Sequence, residues 1–252
     1  MSSKSNLIKN LKSLKINEGA RYWDALRDLP ISQTITSASK EQVMSLAMSY
    51  DDVYSVAEHL ASKPTNTPRG YSTYYVNNII HQINSAVMLA LPNKGDYLLK
   101  NSDNMSLKCY IFDSGLYSSV KMIDYLAENF EGEIQLKAAS VCSVSQLRKL
   151  NKLKTLDKAV RRIIYDRLGP VECLDQMIDD KYAANRESGY RWAPYGYKKL
   201  EEKAMTEIAR GPTSILIRKL SVEFMPLMLA NRNVLKNKWI AKMIEQRMNS
   251  GE

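Results

Sequence analysis

The chain has 252 residues, of which 44% are hydrophobic and 25% charged, and its formal net charge is +9. That length allows one large domain or two small ones, and the composition supports a buried core and excludes general disorder. Three scattered cysteines (Cys109, Cys142, Cys173) without C-x-x-C spacing and only two histidines (His59, His81) argue against a disulfide framework or a zinc or iron centre.

Leu7, Ile8, Leu11 and Leu14 recur at helical spacing with lysines between them, so residues 1–16 read as a short amphipathic helical arm. A second helix is expected over 18–29, stopped by Pro30. Ser39 followed by Gln42 is a capping-box pattern before the stripe Val43, Leu46, Ala47, and helix resumes over 53–60. Residues 61–70 hold two prolines and a glycine and read as a loop; a long helix follows over 72–91. The polar, turn-rich stretch 93–106 is the expected lobe boundary. Residues 107–112 and 133–137 then read as strands around a helix over 118–130, a small β-α-β element near 107–137 in a mainly α protein. Beyond Ser145 everything reads as helix: 146–153, 156–168 with Thr155 as cap and Gly169-Pro170 as stop, 171–183, 198–210, 213–230 and a basic amphipathic helix over 231–248. No internal repeat is evident. The expected organisation is an arm over 1–16, a helical lobe over 17–100, a second lobe with a basic surface over 101–230 and an arm helix over 231–252.

The positive charge is concentrated. Between Lys137 and Leu168 there are nine cations (Lys137, Arg148, Lys149, Lys152, Lys154, Lys158, Arg161, Arg162, Arg167) and two acids (Asp157, Asp166), so 9 minus 2 gives +7. A helical wheel from Leu156 puts Val160 and Ile163 on an apolar face and Lys158, Arg161, Arg162 and Tyr165 opposite. Cations suit phosphates and an adjacent ring suits an unstacked base, so these four, with Arg148, Lys149, Lys152 and Lys154, are candidate RNA-binding residues. Arg167 falls outside the stripe and is expected to snorkel or to cap a helix C-terminus.

From Tyr190 to Lys199 four aromatics and three cations interleave, and glycines and a proline are expected to hold the segment off a regular helix. Tyr190, Arg191, Trp192, Tyr195, Lys198 and Lys199 are therefore a second candidate site for stacking bases and gripping phosphate. Arg69 and Tyr71, before the long helix, form a weaker anion-binding candidate. The two terminal helices, both basic and amphipathic, are expected to dock on neighbouring copies.

No phosphate-binding, dinucleotide, zinc-protease or nucleophile-elbow motif is present, so no enzymatic activity, catalytic residue, metal or cofactor is expected. Asp113, Gln135 and Lys137 loosely resemble a metal-dependent nuclease arrangement, provided their segments are strands. No apolar run reaches the roughly 18 residues of a transmembrane helix, and 1–16 lacks a secretory apolar core, so a cytoplasmic location is expected, or a virion for a viral protein. In size, charge and scarcity of His and Cys the chain looks like the small nucleoproteins of negative-strand RNA viruses, a likeness of bulk properties carried by no motif. The leading expectation is sequence-tolerant binding of single-stranded RNA with self-association into a nucleocapsid; the alternatives are a matrix-type protein on an anionic membrane and the nuclease.

Overall fold

A computed structural model describes residues 3–15, 26, 29–63, 72–153, 155–231, 234 and 236–250. Most of the helix expected over 18–29, most of the loop over 61–70, and the candidates Arg69, Tyr71 and Lys154 lie outside the described residues. Among those described the regular structure is helical throughout, with no strand. The chain divides into two compact units, residues 1–134 and 135–252.

The first unit is built around one long helix. The helices are α1 (Ser3–Lys12), α2 (Ile31–Thr36), α3 (Lys40–Met48), α4 (Tyr50–Ala61), α5 (Ser72–Ala90), α6 (Gly95–Asn101), α7 (Met105–Asp113) and α8 (Val120–Asn129). Helix α5 carries Val76, Ile79, Ile80, Ile83 and Val87 on its buried side and touches α2, α3, α4 and α7. The capping box forms as its sequence suggests: Gln42 N–H donates to Ser39 Oγ and Ser39 N–H to Gln42 Oε1.

Two expectations are corrected here. The β-α-β element is three helices, because the apolar residues of 105–141 are buried at helical spacing. Asn104 Oδ1 accepts from Leu107 N–H at 3.0 Å, starting α7, and Leu107 and Ile111 then bury four residues apart. Ile134, Ala138 and Ala139 do the same in α9 (Gly132–Val141), so the strands that the nuclease reading required are absent from both segments. The second concerns 93–106. Instead of a linker it contains α6, and it is stitched into the first unit: Ser102 Oγ donates to the Ala47 carbonyl at 2.6 Å, and Tyr50 N–H donates to Asp103 Oδ1 at 2.7 Å.

The second unit is a succession of helix–turn–helix repeats, each a leading helix and the shorter trailing helix that follows it in the chain, and each trailing helix packs on the leading helix after it. The leading helices are the end of α9, then α11 (Lys158–Leu168), α13 (Ala183–Trp192), α15 (Arg210–Lys219) and α17 (Lys238–Ser250). The trailing helices are α10 (Val144–Leu150), α12 (Pro170–Ile178), α14 (Lys198–Ala204) and α16 (Met225–Leu229), the last preceded by a 3-10 turn, Val222–Phe224. Leading helices start at Gly132, Lys158, Ala183, Arg210 and Lys238, steps of 26, 25, 27 and 28 residues. From α11 onward each touches the next: α11 on α13, α13 on α15, α15 on α17. A regular step with nearest-neighbour packing is the organisation of an α-helical solenoid. The repeat, not evident in the sequence analysis, is a structural one.

Both terminal helices pack within their own units. Leu7 and Leu11 of α1 are 2% and 0% exposed, and α1 rests on α2, α3 and α4. Ile240 and Ile244 of α17 are fully buried in a core shared with Leu216, Ile217, Met225 and Met228. Of the stripes expected to dock on neighbouring copies, Leu7 and Leu11 of α1 and Ile244 of α17 are therefore buried within their own units.

Candidate nucleic-acid interface

The basic stretch does not fold into a bare cationic face. Arg161 Nη1 donates to Asp180 Oδ2 at 3.1 Å, and the Tyr165 hydroxyl donates to the same oxygen at 2.7 Å. Asp180 is fully buried and Tyr165 is 1% exposed, so neither this ring nor the Arg161 head presents a nucleic-acid surface. Arg162 pairs with Asp166 at 3.0 Å and also donates to the Ser188 hydroxyl. Arg148 grips Glu172 with two hydrogen bonds of 2.9 and 2.7 Å. Arg167 donates to the Ala139 and Cys142 carbonyls at 3.0 and 2.8 Å, capping the end of α9. Glu172 and Asp180 lie beyond Leu168 in the sequence, so a charge count restricted to 137–168 could not include them. Lys149, Lys152 and Lys158 stay exposed, at the edge where one repeat links to the next. Lys149 lies in the last turn of α10, Lys152 in the linker 151–157, and Lys158 starts α11; no aromatic residue stands between Lys149 and Lys158.

The buried Arg–Tyr–carboxylate cluster occurs twice. Arg186 Nε donates to Glu207 Oε2 at 2.6 Å, and the Tyr190 hydroxyl donates to that oxygen at 3.0 Å. Arg161 and Tyr165 are the fourth and eighth residues of α11, and Arg186 and Tyr190 hold the same places in α13. In each case the carboxylate opens the following repeat and accepts a backbone N–H two residues on: Tyr182 to Asp180 at 2.8 Å, Ala209 to Glu207 at 2.9 Å. Burial raises both tyrosine pKa values, reinforced by the neighbouring carboxylate. Burial alone would raise Glu207, but the Arg186 hydrogen bonds, with those of Ala209 N–H and Tyr190, overcome it and hold the carboxyl below its ordinary value. These clusters lock one repeat to the next. The available signal was Arg-x-x-x-Tyr twice, 25 residues apart, with an acid 15 or 17 residues after each tyrosine.

The aromatic segment divides in two. Tyr190 and Arg191 belong to α13, a regular helix, rather than to a loop. Gly189 is there because α13 crosses the end of α12 too closely for a side chain: a Cβ would lie 2.8 Å from the Ile178 nitrogen. Tyr190 is fully buried, and the base-stacking role expected of it is corrected. Arg191 pairs with Glu187 at 2.8 Å, and Lys199 with Asp175 at 3.1 Å and Asp179 at 2.6 Å. Beyond α13 the chain turns outward. Trp192, the last residue of α13, is 61% exposed, and Tyr195, in the turn between α13 and α14, is 78% exposed. The Lys219 ammonium lies 5.1 Å from the Tyr195 ring centroid and donates to the Ala193 carbonyl. Lys198 and Arg218 are exposed as well.

Of the expected set the structure brings Tyr195 together with Arg218 and Lys219, which had not been singled out, and leaves Trp192 and Lys198 exposed on either side of Tyr195 in the chain. The signal for Arg218 and Lys219 was their place at the C-terminus of a leading helix, where cations favour the helix dipole. Searches against protein-family models, curated proteins and solved structures find no match to the chain.

Proposed function

We propose that the repeat array of the second unit binds single-stranded RNA without sequence preference, along the edge formed by the turns within its repeats. The observation that supports this most is the exposed Tyr195 ring beside Lys219 and Arg218, with the exposed Trp192 and Lys198 three residues to either side of it in the chain. Every base has a π-face, so a ring platform holds RNA of any sequence, and each stacked base is worth about 1–3 kcal/mol. Adjacent ammonium and guanidinium groups supply the phosphate contacts that dominate such affinities. A stacked array renews its edge along the chain, which suits an extended strand. The linker-edge lysines Lys149, Lys152 and Lys158 have charge without rings and are secondary in this reading. Self-association through the terminal helices is not part of it, since both are packed in their own units.

The test is anisotropy titration of an unstructured labelled RNA across salt concentrations. Replacing Lys198 and Arg218 together by Gln is expected to flatten the log K against log salt slope by about 1.4, at roughly 0.7 per phosphate contact on a single strand. Arg148→Gln, which loses an existing ion pair, is expected to leave the slope alone. Equal slopes for the parent and the double variant would contradict the proposal.

A further inference from the structure

The edge formed by these turns contains a pocket of about 320 Å³, lined by Tyr195, Gly196, Glu201, Arg218, Lys219, Leu220, Ser221 and Arg247. Its walls come from around the turns of two successive repeats and from α17. Three of its side chains are cations and one is a carboxylate. Arg247, from α17, adds a third cation to the lining, and a guanidinium is a strong charge-assisted donor to a phosphate oxygen. Arg218, with no carboxylate partner among the described residues, is exposed, and Lys219 is held in place by the Ala193 carbonyl. The cationic side of the pocket is suited to a phosphate, with the Ser221 hydroxyl as an added donor.

The remaining groups complete one ligand class. Tyr195 offers a ring face on which a base can lie. Glu201 is the puzzling member, because a carboxylate repels a phosphate. It becomes useful if the ligand also brings hydroxyl donors, since a carboxylate is the acceptor proteins use for a ribose 2′-hydroxyl. The volume is at the lower end of small-ligand sites, about 300–1,000 Å³, and accommodates one nucleotide unit.

We infer that this pocket holds a single ribonucleotide unit, with its base on Tyr195, its phosphate on Arg218, Lys219 and Arg247, and its 2′-hydroxyl donating to Glu201, and that it makes the chain prefer RNA to DNA. The inference rests on the single-strand reading above and adds to it a sugar-selective site. The other groups of the edge serve RNA and DNA alike, so sugar discrimination falls to Glu201.

The experiment is calorimetric titration of the full chain with each of the four ribonucleoside 5′-monophosphates and their 2′-deoxy counterparts, beside a ten-nucleotide RNA and the DNA of the same sequence. At least one ribonucleotide is expected to bind about tenfold more tightly than its deoxy form, the effect of one hydrogen bond to a charged acceptor. Glu201→Ala is expected to abolish that ratio, and since Glu201 is exposed the fold should survive. Arg247→Gln should weaken ribo and deoxy forms by the same factor. Equal affinities in the parent, or a ratio unchanged in Glu201→Ala, would overturn the pocket while leaving the single-strand reading intact, provided both ten-mers bind. Binding of neither ten-mer would overturn the RNA reading, and the pocket with it.

Discussion

Removing Arg186 should expose how strongly one repeat is locked to the next. In the folded chain its guanidinium makes two hydrogen bonds to Glu207, at 2.6 and 3.0 Å, and two more to the Asp180 and Lys181 carbonyls at 2.8 and 3.0 Å. The Glu207 side chain is 3% exposed and that of Arg186 20%. Arg186→Ala leaves a buried carboxylate facing only the Tyr190 hydroxyl and the Ile208 and Ala209 N–H groups. Breaking a buried pair from one side costs about 3–5 kcal/mol. Because a fifth of Arg186 remains in water, the lower end, about 3 kcal/mol, is expected. Arg148→Ala is the control: it removes a pair of similar length whose side chains are 57% and 39% exposed, where solvent screens the charges, and should cost far less. Tryptophan fluorescence in urea reads the difference, since Trp192 and Trp239 both lie in the second unit. At a typical slope of about 1–3 kcal/mol/M, the midpoint should fall by about 1–3 M for Arg186→Ala and much less for Arg148→Ala. Equal shifts in the two variants would refute the argument that burial, rather than pair geometry, sets the strength of these contacts.

Deleting residues 1–16 should expose the sites that Leu7 and Leu11 fill and lead to aggregation or loss of a cooperative melt, as should deleting 231–252; sedimentation and thermal melting of both truncations would show it, and a soluble, cooperatively melting truncation would contradict the packing described. Glu207, held below its ordinary pKa of 4.5, contributes stability that is complete above the unfolded pKa and lost as pH falls through the lower folded value. Urea midpoints between pH 6 and pH 3 should therefore fall with acidification, and the fall should be smaller in Glu207→Gln; an identical pH profile in the two proteins would refute this. Gly189→Ala should destabilise the second unit by about 1–3 kcal/mol through overpacking against α12, as read by its urea midpoint, and an unchanged midpoint would mean that the close crossing is not rigid.

The helical class and the capping box at Ser39 were legible because they depend on neighbours three and four residues away. The 107–112 segment misled because Leu, Cys, Tyr, Ile and Phe in a short run fit a strand and a buried helix equally well, and only the Asn104 cap distinguishes them. The basic stripe misled for a different reason. A helical wheel assumes one buried side, but α11 packs against α10, α12 and α13, so Tyr165 and the Arg161 head turn inward onto Asp180. That carboxylate stands 15 and 19 residues beyond the two, outside any local window. Trp192 and Tyr195 were visible by composition alone, whereas Arg218, Lys219 and Arg247 join Tyr195 only through the stacking of repeats.

The measurement that bears most directly on the central claim is ultraviolet cross-linking of a single-stranded RNA to the full chain, with the linked peptides mapped by mass spectrometry. A π-face in contact with a base is the group such cross-links report. The account predicts adducts on Trp192 and Tyr195, reduced by Tyr195→Ala at its own position and still present at Trp192. Adducts confined to the linker edge around residues 148–158, or to the first unit, would contradict it.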